Sequence, residues 1–393
     1  TRNRALPGTG FIPESGALKL SGHATLVAVQ IAGPRSAGQG VRAVHAWTVD
    51  DWLGKGFMKT ATADPPGIDH PARVFNHSWI GSGSPAVPLI LRRVDYLIDE
   101  RDVLMVCGLG NGKGKMPELL ASAYNVISVG VASGRHSNEP TTIETPGRRK
   151  PDLVAPGNQT SYATGLVTGV VAAMLEHADR MVDVDENGDD GDAASVNRNA
   201  AATRAEVIKA ALLAGARRTA QWSPIEGEPL DRTLGAGVVE IDRALVILDA
   251  GHAEPDRATN QRYGWSFSTI DADAQRYYDF SLDAEQGPAS FALVWHRRVL
   301  GGRARILNPD TGETRTIWNA AHFTPDLDLG LVRLEADGGE TLIRFSQSDV
   351  DNVELIHLPA LEPGRYRLRV RRKHDDTSQP WDYALAWRIE AKE

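Results

Sequence analysis

Ser161 is the second residue of the run TSYATGLVTGVVAAMLEHA, in which small and apolar residues recur at helical spacing. A serine hydroxyl is a weak nucleophile until a base takes its proton. It gains most at a helix N-terminus, where backbone N–H groups and the helix dipole face a developing oxyanion. Thr160 or Ser161 would serve equally as a plain helix cap, and the hydroxyl alone does not choose. A second group with chemical potential is Asp183, Asp185, Asn187 and Asp189, which alternate, with Gly188 at the tight-turn position. That is the first half of a D-x-D-x-N-G calcium loop, in which several oxygens converge on one hard cation. The twelfth position, where such loops carry a bidentate Glu, holds Ala194, with Asp192 close by. The expectation is a structural Ca²⁺ site at these four residues, set against a solvated acidic loop. The one cysteine, Cys107, lies inside VLMVCGLG and is expected as a small buried hydrophobe, so no intrachain disulfide forms.

The elements that must position these groups alternate. HATLVAVQIAG is a helix candidate ending at Gly33-Pro34, and VRAVHAW and RVFNHSWIG are short strands. AVPLILRRVDYLIDE is an amphipathic helix with Leu89, Leu91, Val94 and Leu97 near one face. DVLMVCGLGNG, NVISVGVAS and PDLVAPG are apolar strands, and the Ser161 helix follows the last of them. Apolar strands between helices predict a parallel sheet covered on both faces, with function at the loops beyond the strands' carboxyl ends. His23, Ser78, Asn111 and Ser161 all stand at such ends.

The chain has 393 residues, enough for two or three domains. Beyond about residue 255 the texture changes to short alternating runs at 277–282, 290–295, 329–335, 340–346 and 366–372, separated by NPDTG, ADGG and EPG turns. These predict an antiparallel β-sandwich. The expected domains are 1–252 and 253–393. A net charge of −8 gives no basic face for nucleic acid, and no run approaches the length of a membrane span. TRNRALPGTG lacks the apolar core of a signal peptide and reads as a mature or trimmed start.

The segment KPDLVAPG followed by TSYATGLVTGVVAAML resembles the serine signature of the subtilisin-like serine proteases, the subtilases. SGHATLVAVQIAG resembles their histidine signature, DVLMVCGLGNGKG their oxyanion-hole strand, and FNHSWIG the strand that holds extended substrate. NVISVGVAS and LGAGVVEIDRAL match two further family segments, in family order, so the resemblance spans roughly residues 17–247. It implies an α/β fold with a subtilisin-like three-layer arrangement, the sandwich following. It implies Ser161 as nucleophile, His23 as base, Asn111 in the oxyanion hole, and Ser78, Trp79, Gly81 and Gly108 around the substrate. The implied protein is a secreted or cell-surface bacterial endopeptidase acting on peptides or proteins, with no cofactor in its chemistry. An esterase with the G-x-S-x-G elbow is disfavoured, because His precedes Ser and the elbow is missing.

The pattern also departs from the family. The family's acid precedes the histidine by a few tens of residues, whereas no Asp precedes His23, and Glu14 in GFIPESG is the nearest acid. Only Asn158, Gln159 and Thr160 separate APG from Ser161, where the family carries a longer loop. Gly165 replaces a proline and Val29 a glycine. These departures admit three accounts: an acid on a preceding segment, a glutamate in its place, or a catalytically impaired relative acting as a binding or scaffold module. The C-terminal segment resembles sandwich appendages of secreted bacterial subtilases. It is expected to pack on the protease unit or to bind substrate, and its Asp326, Asp328, Asp349 and Asp351 are possible ligands of a second cation.

Overall fold

A computed structural model describes residues 6, 8–16, 21–67, 69–82, 85–186, 200–259, 261–307, 311–375 and 377–392. It opens with β1 (Gly10–Pro13), α1 (Gly22–Ala32) and β2 (Ala43–Ala46); the two strands pair in parallel, and a short helix α2 (Val49–Leu53) follows. The predicted parallel sheet is built of β3 (Val74–His77), β4 (Leu104–Gly108), β5 (Ile127–Val131) and β6 (Leu153–Ala155), in that spatial order. Between β3 and β4 runs α3 (Val87–Arg101), and after β6 comes α4 (Thr160–Glu186). Every residue of β4, β5 and β6 is buried, as strands covered on both faces must be. The period of two divides β4 between two cores: Leu104 and Val106 meet Val167, Val171 and Met174 of α4, whereas Met105 and Cys107 meet Leu91, Val94 and Ile98 of α3. Cys107 is therefore a core residue, and burial pushes its thiol far above the usual range. β1 and β2 form a separate two-stranded sheet that is not hydrogen-bonded to β3.

The later strands form the sandwich-like half. One sheet is β14 (Glu340–Ser346), β13 (Leu327–Leu334), β16 (Gly364–Arg372), β9 (Gln275–Leu282) and β7 (Arg257–Ala258), in spatial order. The other is β15 (Val353–Leu358), β10 (Gln286–Val294), β17 (Trp381–Ala391) and β8 (Tyr263–Ile270). A hairpin, β11 (Arg298–Leu307) with β12 (Thr314–Phe323), leaves the sandwich and reaches α3. The alternating runs correspond to β9, β10, β13, β14 and β16. β8 and β17 were not legible, because β17 is apolar on both faces and shows no alternation. Its Tyr383, Leu385, Trp387 and Ile389 enter the core between the two sheets, and Ala384 and Ala386 turn to the α/β half.

There the partner is the helix Ala205–Gly215, in which every residue is buried. Ala292 and Val294 of β10, with Ala384 and Ala386 of β17, share one core with Val207, Ala211 and Ala214 of this helix. Small side chains on both sides let sheet and helix approach closely, so the two halves are joined by a continuous apolar core. Beside it, Arg297 places its guanidinium 2.6 Å from Asp95 and 2.7 Å from Glu144, and its backbone N–H donates to Asn125 Oδ1 at 2.8 Å. Among the described residues no helix is long and apolar enough to cross a membrane.

Candidate active site

The serine arrives by a sharp change of environment. β6 is wholly buried, residues 156–159 are exposed, and Thr160 is buried again as α4 begins. The Tyr162 and Ala163 N–H groups both donate to the Gln159 carbonyl, each at 3.2 Å, so the Ser161 N–H precedes the bonded ladder. Thr160 is the pivot. Its backbone N–H donates to Asn111 Oδ1 at 2.9 Å, and its hydroxyl donates to the Leu109 carbonyl at 2.6 Å. Asn111, just beyond β4, thus has its amide oxygen held toward the helix, and its Nδ2 donates to no described protein group.

From the other side, β3 is stapled to α4. Ser78 Oγ lies 2.9 Å from the Ser161 carbonyl and 3.0 Å from Asn76 Oδ1, while Asn76 Nδ2 donates to Thr168 Oγ1 at 2.9 Å. Ser161 Oγ points at the Ser78 carbonyl, 3.3 Å away. Together Ser78, Trp79, Ile80, Gly108, Leu109, Asn111, Thr160 and Ser161 line one pocket of about 110 Å³. Five of the residues singled out in the sequence therefore meet here: Ser78, Trp79, Gly108, Asn111 and Ser161. Gly81 does not line it, since its backbone pairs with Leu119 in both directions, at 3.2 and 2.9 Å. Ile80 and Leu109 were not anticipated. The signal for Ile80 was an apolar residue between Trp79 and Gly81, and it is 54% exposed.

His23 is the second residue of α1 and is exposed; its ring centroid lies 6.1 Å from that of Tyr162, the neighbour of Ser161. The helix that carries it is set by α4. A Cβ at Gly169 would lie 2.6 Å from the Ile31 carbonyl, and one at Gly165 would lie 3.0 Å from that of Val27. The two glycines, four apart, form the groove in which α1 rests, which gives a packing reason for Gly165. Among the described residues, His23 hydrogen-bonds neither Ser161 nor a carboxylate. Glu14 is engaged elsewhere, 2.6 Å from His45 Nδ1.

A model of the subtilase family matches residues 12–265, more than half of the chain. This chain belongs to the subtilase family. As a subtilase it is a serine peptidase in general type, with peptides or proteins as its class of substrate. No curated protein matches it. Among solved structures it is similar to tripeptidyl peptidase 2, at 12% identity and a TM-score of 0.37, covering 93% of this chain and 40% of that one. It is also similar to the Yersinia pseudotuberculosis-derived mitogen, at 11% identity and a TM-score of 0.20, covering 33% of this chain and 88% of that one. The lysozyme inhibitor PliG of Salmonella Typhimurium is 15% identical at a TM-score of 0.18, over 35% of this chain and 96% of that one. None of the three is similar enough to bear on the activity of this subtilase.

Of the acidic groups, Asp183 and Asp185 fall within α4, whose last residue is Glu186, so this part is helix and not the expected loop, and residues two apart on a helix do not share a face; Asn187 and Asp189 lie outside the described residues. In the sandwich, Asp326, Asp328 and Asp349 converge on the Lys373 ammonium at 2.8, 3.2 and 2.8 Å, so a lysine supplies the cation there. Asp351 turns away and accepts from the Arg149 N–H at 2.8 Å.

Proposed function

We propose that this subtilase is an endopeptidase that works by acyl transfer at Ser161. The observation that carries the reading is the orientation of Asn111. With Oδ1 engaged by the Thr160 N–H, its Nδ2 donor is left for the pocket, beside the Ser161 N–H of the first helical turn. Two open donors lining one pocket with a serine hydroxyl suit the oxyanion of a tetrahedral intermediate. In this mechanism the Ser161 proton passes to His23 as the Oγ–carbon bond forms. His23 then gives that proton to the amine as the carbon–nitrogen bond breaks, and water releases the acyl group by the same route. The substrate lies extended along Ser78–Ile80, with a side chain against Trp79 and Ile80.

The state of His23 favours a second reading beside this one. Among the described residues no carboxylate hydrogen-bonds His23, and where no acid holds the tautomer, turnover in this chemistry falls by about 10⁴. A chain left as described would acylate at Ser161 and turn over poorly, or serve only to bind. A fluorophosphonate probe separates the two. Labelling of the wild type but not of Ser161→Ala supports the enzyme, and an unlabelled, folded wild type supports the binding module. We also propose that the acidic segment from Asp183 to Asp192 takes up Ca²⁺. Calorimetry should then show heat on adding calcium and a raised melting temperature; the absence of both ends that proposal.

A further inference from the structure

Glu14, His45 and His70 are far apart in the chain and meet in space. Glu14 follows β1, His45 is on β2, and His70 lies in the loop before β3. One donor atom from each lies within 4.8 Å of the other two. Glu14 Oε1 is 2.6 Å from His45 Nδ1 and 3.9 Å from His70 Nε2, and that Nε2 is buried with no hydrogen-bond partner. The side chains are 31%, 21% and 16% exposed for Glu14, His45 and His70, so an ion can reach them. None of the three lines the serine pocket.

The groups are held from behind. The Glu14 N–H donates to the Ala46 carbonyl at 2.9 Å, and Ser15 Oγ links the Thr48 N–H, 3.1 Å, to Asp51, 2.6 Å. The two imidazoles meet edge to face at 4.5 Å, and Trp47 and Phe57 wall His70 at 5.0 and 5.8 Å. Such support fixes ligand orientation.

We propose that Glu14, His45 and His70 form a binding site for a borderline divalent cation of the Zn²⁺ type, separate from the serine chemistry. Two imidazole nitrogens and one carboxylate oxygen suit zinc and its neighbours, whereas calcium and magnesium take all-oxygen sets. A tetrahedral ion with bonds of about 2.0–2.1 Å spaces its ligand atoms about 3.3 Å apart. The observed 2.6 and 3.9 Å bracket that spacing, and all three donor atoms lie within 4.8 Å of one another. His70 Nδ1 accepts from the Ala72 N–H at 3.1 Å, which places the ring proton on Nε2 in the metal-free chain. Metal binding moves that proton to Nδ1 and opens the Ala72 contact. His45 likewise keeps its proton on the nitrogen that does not ligate.

The test is calorimetric titration of the chelator-treated full chain with ZnCl₂, with saturating CaCl₂ present to occupy acidic surface groups. One equivalent should bind. Glu14→Gln, His45→Gln and His70→Gln should each weaken binding at least tenfold, and the Co²⁺ form should show the intense visible absorption of a four-coordinate ion. Absence of zinc binding, or undiminished binding in the His45→Gln/His70→Gln double variant, overturns the proposal. Should that double variant lose its fold by circular dichroism, unchanged affinity in the isosteric Glu14→Gln chain overturns it instead. Ser161→Ala should bind zinc as the wild type does, which keeps this test apart from that of the serine site.

Discussion

The serine pocket and the seam between the two halves use the same groups to opposite ends. At the seam, Asn125, Asp95, Glu144 and Arg297 are turned on one another. Asn125 accepts from the Arg297 N–H and donates to the Arg297 carbonyl at 2.8 Å, while the Arg297 guanidinium is shared by Asp95 and Glu144. At the pocket, Asn111 spends its oxygen on Thr160 and keeps its amide donor, and Ser161 keeps its N–H. Buried charges turned on one another hold a fold together; donors left open at a pocket are a place for a ligand. The energetic contrast follows. Removing a group at the seam should cost stability and little chemistry, and removing one at the pocket should do the reverse.

The largest effect is expected from Arg297→Met, which leaves the buried Asp95 carboxylate without its cation, while Glu144 keeps Arg92 at 3.0 Å. Breaking a buried pair in this way costs about 3–5 kcal/mol, to be read as a lower urea midpoint, with the remaining folded chain still labelled at Ser161. An unchanged midpoint would show that the two halves are held by apolar packing alone. Next is Asn111→Asp, which keeps an acceptor for Thr160 and loses the donor. Acylation should slow by about 10²–10³, with thermal stability nearly unchanged. A full-rate Asn111→Asp chain would remove Asn111 from the oxyanion site. A pH-dependent effect lies beside the pocket, at His77 of β3, which precedes Ser78 and packs on Trp52 and Trp79. Burial without a partner for Nε2 lowers its pKa to about 3, against 6.5 in an unfolded chain. Between those values the unfolded chain binds a proton that the folded chain does not, so stability falls as pH drops through this window. The contribution is about 1.4 kcal/mol per pH unit. His77→Phe should flatten the acid limb of the stability profile by that slope, and an unaltered slope would show that His77 is not its source.

Much of the α/β half was legible because its signals are local. Apolar runs of strand length, an amphipathic α3 and a small-residue α4 each state their own burial, and the order of motifs identified the family. The sandwich was half legible. Strands with one dry and one wet face alternate, but β17 is dry on both faces because the helix Ala205–Gly215 covers its outer side. No residue of β17 announces that distant helix. Within the pocket, Ser161, Asn111 and Ser78 were visible as residues at element ends, whereas Ile80 became a wall only when β3 met α4. Glu14 was visible as the one acid near His23, yet its partner is His45, which the parallel pairing of β1 with β2 brings alongside.

The residue types and their spacing determined the family, the covered parallel sheet, the burial of Cys107 and the position of Ser161 at a helix start, since each depends on a period or a motif within a few residues. Tertiary structure alone decided the rest. It set which amide atom of Asn111 is free, made Lys373 the cation among Asp326, Asp328 and Asp349, and brought Glu14 to His45 and His70. The physical reason is range. Hydrophobic period and helix capping act along the chain, whereas hydrogen bonds and ligand geometry act across space, between residues whose separation in sequence carries no record of their contact.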